Sequence, residues 1–314
     1  MSTALIFPGQ GSQAVGMGRD LYASSAAARA VFDAADATLG FALSTVCFEG
    51  PADHLTATEQ AQPALLTTCV ATLAALADDV APVEYVVRRA SCVAGHSLGE
   101  YTAVVAAGAL DLTTAVRLVR RRGELMAAAS EGGMAAVLGM DFEALAAICR
   151  RASDEAGLVV VANENAPGQL VISGTAAGLA RASADARAAG ARRVIPLKVS
   201  AAFHSPVMAA AATEMAHLLR DAPIHEPRVP VFANVTGTPL HTADAIRHEL
   251  IMQVTSPVRW TTMVQQMAGG GVGAFVEIGP GAVLSSLVRR IAPDAVVRDI
   301  AGAAAVAEAR TATW

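Results

Sequence analysis

Apolar positions along this chain fall into two patterns. Short unbroken runs, such as residues 4–7 before Pro8 and Gly9, have the length of buried strands stopped by turn residues. Longer stretches at 21–39 and 64–77 carry their apolar residues at helical spacing, the second bounded by Pro63 and Asp78. Another strand-like run ends near Ala94. Strands alternating with helices predict an α/β protein built on a parallel, doubly wound sheet.

Between Met134 and Ser200 the rhythm changes. MAAVLG, a helix from Asp141, LVVVAN, QLVISG, a helix from Thr175 and RVIPLKVS follow one another in the order β-α-β-β-α-β. That order predicts a self-contained ferredoxin-like unit of about 65 residues. Strand patterns return at 229–233 and 274–278, separated by a helix near 260–267. A small domain (131–200) is therefore expected as an insertion in a discontinuous large one (1–130 and 201–314). The Ala-rich C-terminal tail is expected to fray.

The 314 residues are 54% hydrophobic and 16% charged, with a mean hydropathy of +0.44, which places the chain far from disorder. Such apolar richness raises the question of a membrane. The uncharged runs 64–77 and 101–110 fall short of the roughly 20 residues a spanning helix needs, so buried core helices are expected and no membrane partner. A net charge of −5 leaves no general electrostatic footprint for nucleic acid. Cys47, Cys69, Cys92 and Cys149 are scattered without C-x-x-C spacing, which implies neither a disulfide framework nor a metal site. The opening MSTALIFPGQG lacks a basic n-region, so no signal peptide and a reducing cytoplasm are expected.

The segment GHSLGE sets Gly95, Ser97 and Gly99 in a G-x-S-x-G spacing between an apolar strand and an apolar helix. A serine on so sharp a turn exposes its hydroxyl, the glycines remove Cβ atoms that would clash, and the first N–H groups of the helix point at the same spot. A serine that merely caps the helix has the same spacing. A serine nucleophile needs a base, and there are seven histidines to choose from. His54, His217, His225, His241 and His248 sit at charged, turn or helical positions, and His96 adjoins Ser97 on a turn where neighbouring side chains diverge. His204 follows a strand in SAAFHSP, where an apolar neighbourhood ends at a turn; a core histidine would give the same pattern.

In the helix predicted over 112–129, Arg122 has Leu118, Val119, Leu125 and Met126 three and four residues away, while Arg117, Arg120, Arg121 and Glu124 lie on other faces. Arg122 is therefore expected to point inward, where a guanidinium that cannot shed its charge needs an anion. That anion is either an Asp or Glu of the fold or a carboxylate arriving with a substrate. The loop 9–14 formally matches G-x-G-x-x-A but lacks the following strand with an acidic end that a dinucleotide site requires. Gly9 and Gly11 are expected instead to let the backbone pass close to Ser97, with Gln10 available as a donor.

Eight segments in one order, FPGQGSQ (7–13), QPAL (62–65), GHSLGE (95–100), RGELM (122–126), AFHS (202–205), NVTG (234–237), SPVRW (256–260) and EIGPG (277–281), resemble the malonyl-CoA:acyl carrier protein transacylases. The likeness spans nearly the whole chain. It implies an α/β-hydrolase-like large domain carrying a ferredoxin-like small one. By resemblance Ser97 is the acylated nucleophile, His204 its base, and the backbone N–H groups of Gln10 and Leu98 form the oxyanion hole. Arg122 would hold the malonyl carboxylate and Gln62 would line the site, while the main-chain carbonyl of Gln253 orients the histidine where other hydrolases use an Asp.

The reaction so implied needs no metal or redox cofactor. Its partners are malonyl-CoA and an acyl carrier protein bearing a phosphopantetheine thiol. Leu98 after the serine and Phe203 before the histidine resemble the malonyl-selective pattern, the ring of Phe203 occupying space an α-methyl would need. VSAAFHS looks more like the acyltransferases of polyketide assembly lines than those of fatty acid synthesis. The alternatives are a related acyltransferase or acyl hydrolase acting on another acyl group and, more remotely, a serine esterase, which would not need a buried Arg122.

Overall fold

The computed structural model describes residues 2–129, 131–199 and 201–312; residues 130 and 200, at the expected domain junctions, lie outside the described residues. The described strands are β1 (Ser2–Phe7), β2 (Cys92–Gly95), β3 (Gly133–Leu138), β4 (Val159–Ala166), β5 (Gln169–Gly174), β6 (Arg193–Pro196), β7 (Val231–Phe232), β8 (Pro239–Leu240), β9 (Val272–Ile278) and β10 (Val296–Ile300). One sheet has the order β10-β9-β1-β2-β7-β8 and is parallel up to β7, with β8 antiparallel at the edge. Successive residues of β1 feed opposite faces of this sheet. Leu5 and Phe7 join a core with Leu65, Tyr101 and Val119, whereas Ala4 and Ile6 join one with Trp260, Met263 and Phe275. Cover on both faces is what an unbroken apolar run requires.

The apolar run 64–77 is the later part of a 20-residue helix, Thr58–Ala77, that passes straight through Pro63. Pro63 offers no N–H to the carbonyl of Glu59 one turn back, and that carbonyl accepts instead from Arg120 Nη1 at 3.0 Å. Gly123 allows the approach, since a Cβ there would overlap the Thr58 and Glu59 backbone. With its polar first turn included, the helix is long and apolar enough to cross a membrane, contrary to the measurement on uncharged runs, but its apolar window lies wholly inside the fold.

The other sheet is antiparallel, in the order β4-β5-β3-β6. Its two helices, Phe142–Glu155 and Ala176–Ala188, start where the pattern placed them, with the side chains of Asp141 and Thr175 accepting from Ala144 and Gly178 N–H. They close an apolar core with Val137, Leu145, Ile148 and Ile172. Met134 and Val171, on the opposite face, pack into the core of the parallel sheet. A bridge between Asn163 of β4 and Val258 ties the antiparallel sheet to the segment that precedes the helix Trp260–Gly269.

Three readings of the pattern need correction. The stretch 21–39 is two helices, Arg19–Ser24 and Ala26–Leu39, because Ser25 is extended and caps the second through Ala28 N–H. The strand RVIPLKVS is paired only over Arg193–Pro196. The C-terminal tail does not fray over its described part: Ala303–Thr311 is a helix, as its alanines favour, with Val306 and Ala309 buried. Arg310 of that helix donates to the Ala75 carbonyl at 3.0 Å and to Asp78 at 2.7 Å, satisfying the C-terminal end of the long core helix. All four cysteines are free and buried.

Candidate active site

Between Gly95, which ends β2, and the helix Leu98–Ala106, Ser97 adopts φ 51° and ψ −109°. The chain turns so tightly there that a Cβ on Gly95 would overlap the Gly99 carbonyl, and one on Gly99 would strike the Phe7 carbonyl of β1. Gly9 makes a similar close approach, to the His96 carbonyl, whereas Gly11 has open space around it and serves the turn through its φ of +104°. Among the described residues the non-glycine positions with positive φ are Asp78, Ser97 and His204. Such conformations cost on the order of 1–3 kcal/mol each and persist only where the surroundings enforce them. Two of the three meet here.

Ser97 Oγ makes no cap bond to the helix that follows it and lies 2.7 Å from His204 Nε2. This geometry removes the helix-capping reading. His204 Nδ1 faces two carbonyls, Gln253 O at 3.0 Å and Ser256 O at 3.2 Å. Carbonyls only accept, so Nδ1 carries the proton and Nε2 presents its lone pair to the serine. Burial, reinforced by the positive charge of Arg122, pushes His204 down to about 3 and keeps the ring neutral at neutral pH.

Arg122 points inward and is 1% exposed. Its Nη1 donates to Gln62 Oε1 at 2.8 Å, and its Nη2 to Gln253 Oε1 at 2.8 Å and Ser97 Oγ at 3.3 Å. The guanidinium sits 5.7 Å from the Tyr101 ring, and its Nε has no partner. Among the described residues no carboxylate forms an ion pair with it. Glu100 is fully buried nearby but reaches Arg122 only through the Gln253 amide, which donates to Glu100 Oε2 at 2.5 Å. Burial and the neighbouring Glu249 raise Glu100 well above the usual carboxylate range.

Ser97 and His204 open on a cleft of about 760 Å³ between the two sheets. Its apolar wall is Met126, Met134, Val171, Leu197 and Phe203; its polar rim includes Gln10, Thr58, Asn163 and Asn165. Gln62, Leu98, Arg122 and Gln253 stand behind this surface, so Gln62 backs Arg122 where the expectation had it lining the site. The backbone N–H groups of Gln10 and Leu98 have no acceptor among the described residues, and the Gln10 side chain donates to Thr58 Oγ1 at 3.2 Å. His96 turns away from the serine, bonding Asn165 Oδ1 at 2.9 Å with its ring 5.9 Å from that of Trp260.

Sequence reasoning gave no role to Asn234, Glu100 or Glu249, all of them buried. Asn234 Oδ1 accepts from Ser97 N–H at 2.7 Å, and Glu249 Oε1 accepts from Val235 N–H at 2.8 Å. The available signals were a carboxylate three residues after the serine and an asparagine closing a buried strand.

Residues 4–310 match the family model described as an acyl transferase domain. The malonyl CoA-acyl carrier protein transacylase of Bacillus subtilis is 47% identical over 291 residues, covering 92% of this chain and 90% of its own. A solved acyl-carrier-protein-S-malonyltransferase from Bartonella henselae superposes with a TM-score of 0.93 at 41% identity over 98% of both chains. A malonyl-transacylase solved in complex with a type II PKS acyl-carrier protein does so with 0.90 at 37% identity, over 98% of this chain and 99% of that one. The chain is an acyltransferase by family. Within that class it belongs to the malonyl CoA-acyl carrier protein transacylases.

Proposed function

We propose that this enzyme moves a malonyl group from coenzyme A, through an ester on Ser97, to the phosphopantetheine thiol of an acyl carrier protein. The observation that carries the reading is Arg122. A guanidinium wholly buried among neutral amides, with one N–H unpartnered, sits 3.3 Å from the Ser97 hydroxyl. An unanswered buried charge costs several kcal/mol, so an acyl group that brings its own carboxylate gains where a neutral one does not.

In the forward half-reaction His204 Nε2 takes the Ser97 proton as Oγ attacks the thioester carbonyl. The Gln10 and Leu98 N–H groups stabilise the oxyanion, and as the C–S bond breaks His204 returns the proton to the coenzyme A thiolate. The carrier thiol then gives its proton to His204, attacks the malonyl-serine and releases Oγ, which recovers a proton from the imidazolium. The exchange runs between two thioesters through an ester of similar energy and calls for no metal or redox cofactor. Phe203 on the cleft wall opposes an α-methyl branch, and the apolar wall keeps water from the ester.

The parallel sheet and its helices are read as an α/β-hydrolase-like large domain (1–130 and 201–314). The β3-to-β6 unit is read as a ferredoxin-like small one (131–200), supported by its element order and by the strand order β4-β5-β3-β6. A cytoplasmic setting fits the four free thiols. Intact-mass measurement after incubation with a panel of acyl-CoAs tests the function. One malonyl adduct that disappears in Ser97→Ala is expected, whereas preferential labelling by a neutral acyl group would overturn the substrate assignment.

A further inference from the structure

The residues Ser97-Leu98-Gly99-Glu100 open a helix with a Ser-x-x-Glu spacing, which ordinarily makes a reciprocal cap between the two side chains and the backbone. Here both halves of that cap are diverted. Ser97 Oγ goes to His204, Ser97 N–H goes to Asn234 Oδ1 at 2.7 Å, and the Glu100 carboxylate turns away from the serine altogether. Glu100 Oε1 accepts from the backbone N–H of Asn234 at 3.0 Å, and its Oε2 from Gln253 Nε2 at 2.5 Å. Those two residues are the ones that grip Ser97. Asn234 takes its N–H, and Gln253 Nε2 donates to its carbonyl at 2.8 Å. Asn234 is itself fixed by donating Nδ2 to the Gly95 carbonyl at 2.7 Å.

We propose that Glu100 is a positioning residue for the nucleophile, holding Ser97 in its positive-φ conformation through Asn234 on one side and Gln253 on the other. The consequence reaches beyond the serine. The Ser97 carbonyl and the Leu98 N–H belong to one planar trans peptide and point in opposite directions, so pinning the carbonyl inward aims the N–H outward toward the cleft. Gln253 thereby links the functional groups, its carbonyl receiving His204, its Oε1 receiving Arg122 and its Nε2 shared between Ser97 and Glu100. The amide can do this in one orientation only, because a flipped amide would set Oε1 against the Ser97 carbonyl and Nε2 against the Arg122 guanidinium, and Glu100 holds the amide in that place. Glu249, buried close enough to Glu100 to raise its pKa, takes Val235 N–H at 2.8 Å.

The role of the Leu98 N–H rests on the proposed acyl transfer, so the test reads the frame in two ways. Glu100→Gln offers one acceptor and one donor to a site with two donors, and one arm of the frame must let go. Labelling of Ser97 by a fluorophosphonate, which needs the nucleophile and its oxyanion donor but no malonyl group, should slow by about 10- to 100-fold. The kcat of Ser97 malonylation should fall with it, while the KM for malonyl-CoA holds. Unchanged labelling would overturn the proposal, as would a raised KM with kcat intact. Asn234→Ala, which removes one grip and leaves Glu100 in place, should slow labelling in the same direction and carries the test where Glu100→Gln does not accumulate folded. Should the wild-type protein react with the fluorophosphonate but not with malonyl-CoA, the substrate reading fails, and the labelling rates still decide the role of Glu100.

Discussion

The two sheets bury different chemistry. Beneath the helices of the antiparallel sheet the core is apolar throughout, and the buried polar residues of residues 133–196 are Asn163, Ser173 and Ser183. Around the C-terminal end of β2, Glu100, Arg122, His204, Asn234 and Gln253 are all buried and bonded to one another or to Ser97, and the buried Glu249 accepts from Val235 N–H. A buried polar group left without a partner costs about 1–3 kcal/mol, more when charged. In the antiparallel region a single truncation leaves a cavity. In the polar centre it strands the partners of the residue removed, so function there should fail through groups several bonds away.

The largest effect falls where the bond network converges. Ser97→Ala should abolish acylation, and His204→Ala should slow it by about a hundredfold or more, the usual contribution of a general base. Single-turnover malonyl transfer measures both. A labelled Ser97→Ala protein would place the nucleophile elsewhere.

Arg122→Ala should lower malonyl transfer by at least about tenfold, some 1.4 kcal/mol, while acetyl transfer holds or improves. The same substitution strands Gln62 Oε1 and the Gln253 Oε1 that steers the frame, so some general slowing is superimposed. The ratio of acetyl to malonyl transfer isolates the carboxylate effect, and an unchanged ratio would make Arg122 purely structural.

Acidity separates the two regions as well. The His204 imidazole titrates near 6.5 when unfolded and at about 3 in the fold, so the unfolded chain binds the extra proton over that interval. Stability from this group is therefore complete above pH 6.5 and is lost as pH falls toward 3. Acylation per folded molecule, which needs the neutral ring, should stay flat from about pH 8 to about pH 5. An acid limb near 6.5 in the pH–rate profile would mean that the ring is not held neutral.

The same contrast governs what could be read from sequence. Apolar periodicity marks the antiparallel unit almost element by element, down to helices that start at Asp141 and Thr175, because each local preference there agrees with the fold. The long core helix extends beyond the apolar run 64–77 because its first turn is polar and its interior holds Pro63, whose cost is offset by Arg120 across the bundle. Ser97, His204 and the inward face of Arg122 carry local signals of spacing and periodicity. Glu100 and Asn234 carry a local signal of place, a carboxylate three residues after the serine and an asparagine after a buried strand, but none of role, since their partners are 134 to 153 residues away and no pattern along the chain reports a hydrogen bond at that separation. The side-chain role of Gln253 was hidden for the same reason, though the resemblance pointed to its carbonyl.

Smaller effects belong to the surface. Two basic groups are the candidates for docking a carrier protein, Arg117 with Arg120 and Arg121, and Arg289 with Arg290. Arg120 and Arg121 pair with Glu124, Arg289 with Asp299, and Arg290 donates to Gln169 and the Pro167 carbonyl, which leaves Arg117, exposed on the helix Leu112–Ala128, as the freest of these cations. Arg117→Glu should raise the KM for the carrier protein a few-fold, on the order of the 1 kcal/mol an exposed pair contributes, and leave acylation from malonyl-CoA alone. Equal loss in both half-reactions would remove this face from the docking surface.

The smallest effect on catalysis is expected from a large insult to the antiparallel core. Leu145 is fully buried there among apolar neighbours, on the helix Phe142–Glu155 that packs against β4. Leu145→Ala should cost about 2–5 kcal/mol of stability, the range for a buried leucine whose cavity only partly collapses. No hydrogen bond of the polar centre passes through it, so Ser97 reactivity per folded molecule should change by less than about twofold, as for sites that share no partners. Denaturant unfolding paired with fluorophosphonate titration gives both numbers. The variant also probes the cleft, because β4 carries Asn163 and Asn165 on its rim, with Asn165 holding His96 beside Ser97. If a cavity behind β4 slowed malonylation tenfold while fluorophosphonate labelling stayed normal, the antiparallel sheet would be setting substrate geometry through that rim. It could then no longer be treated as a passive wall.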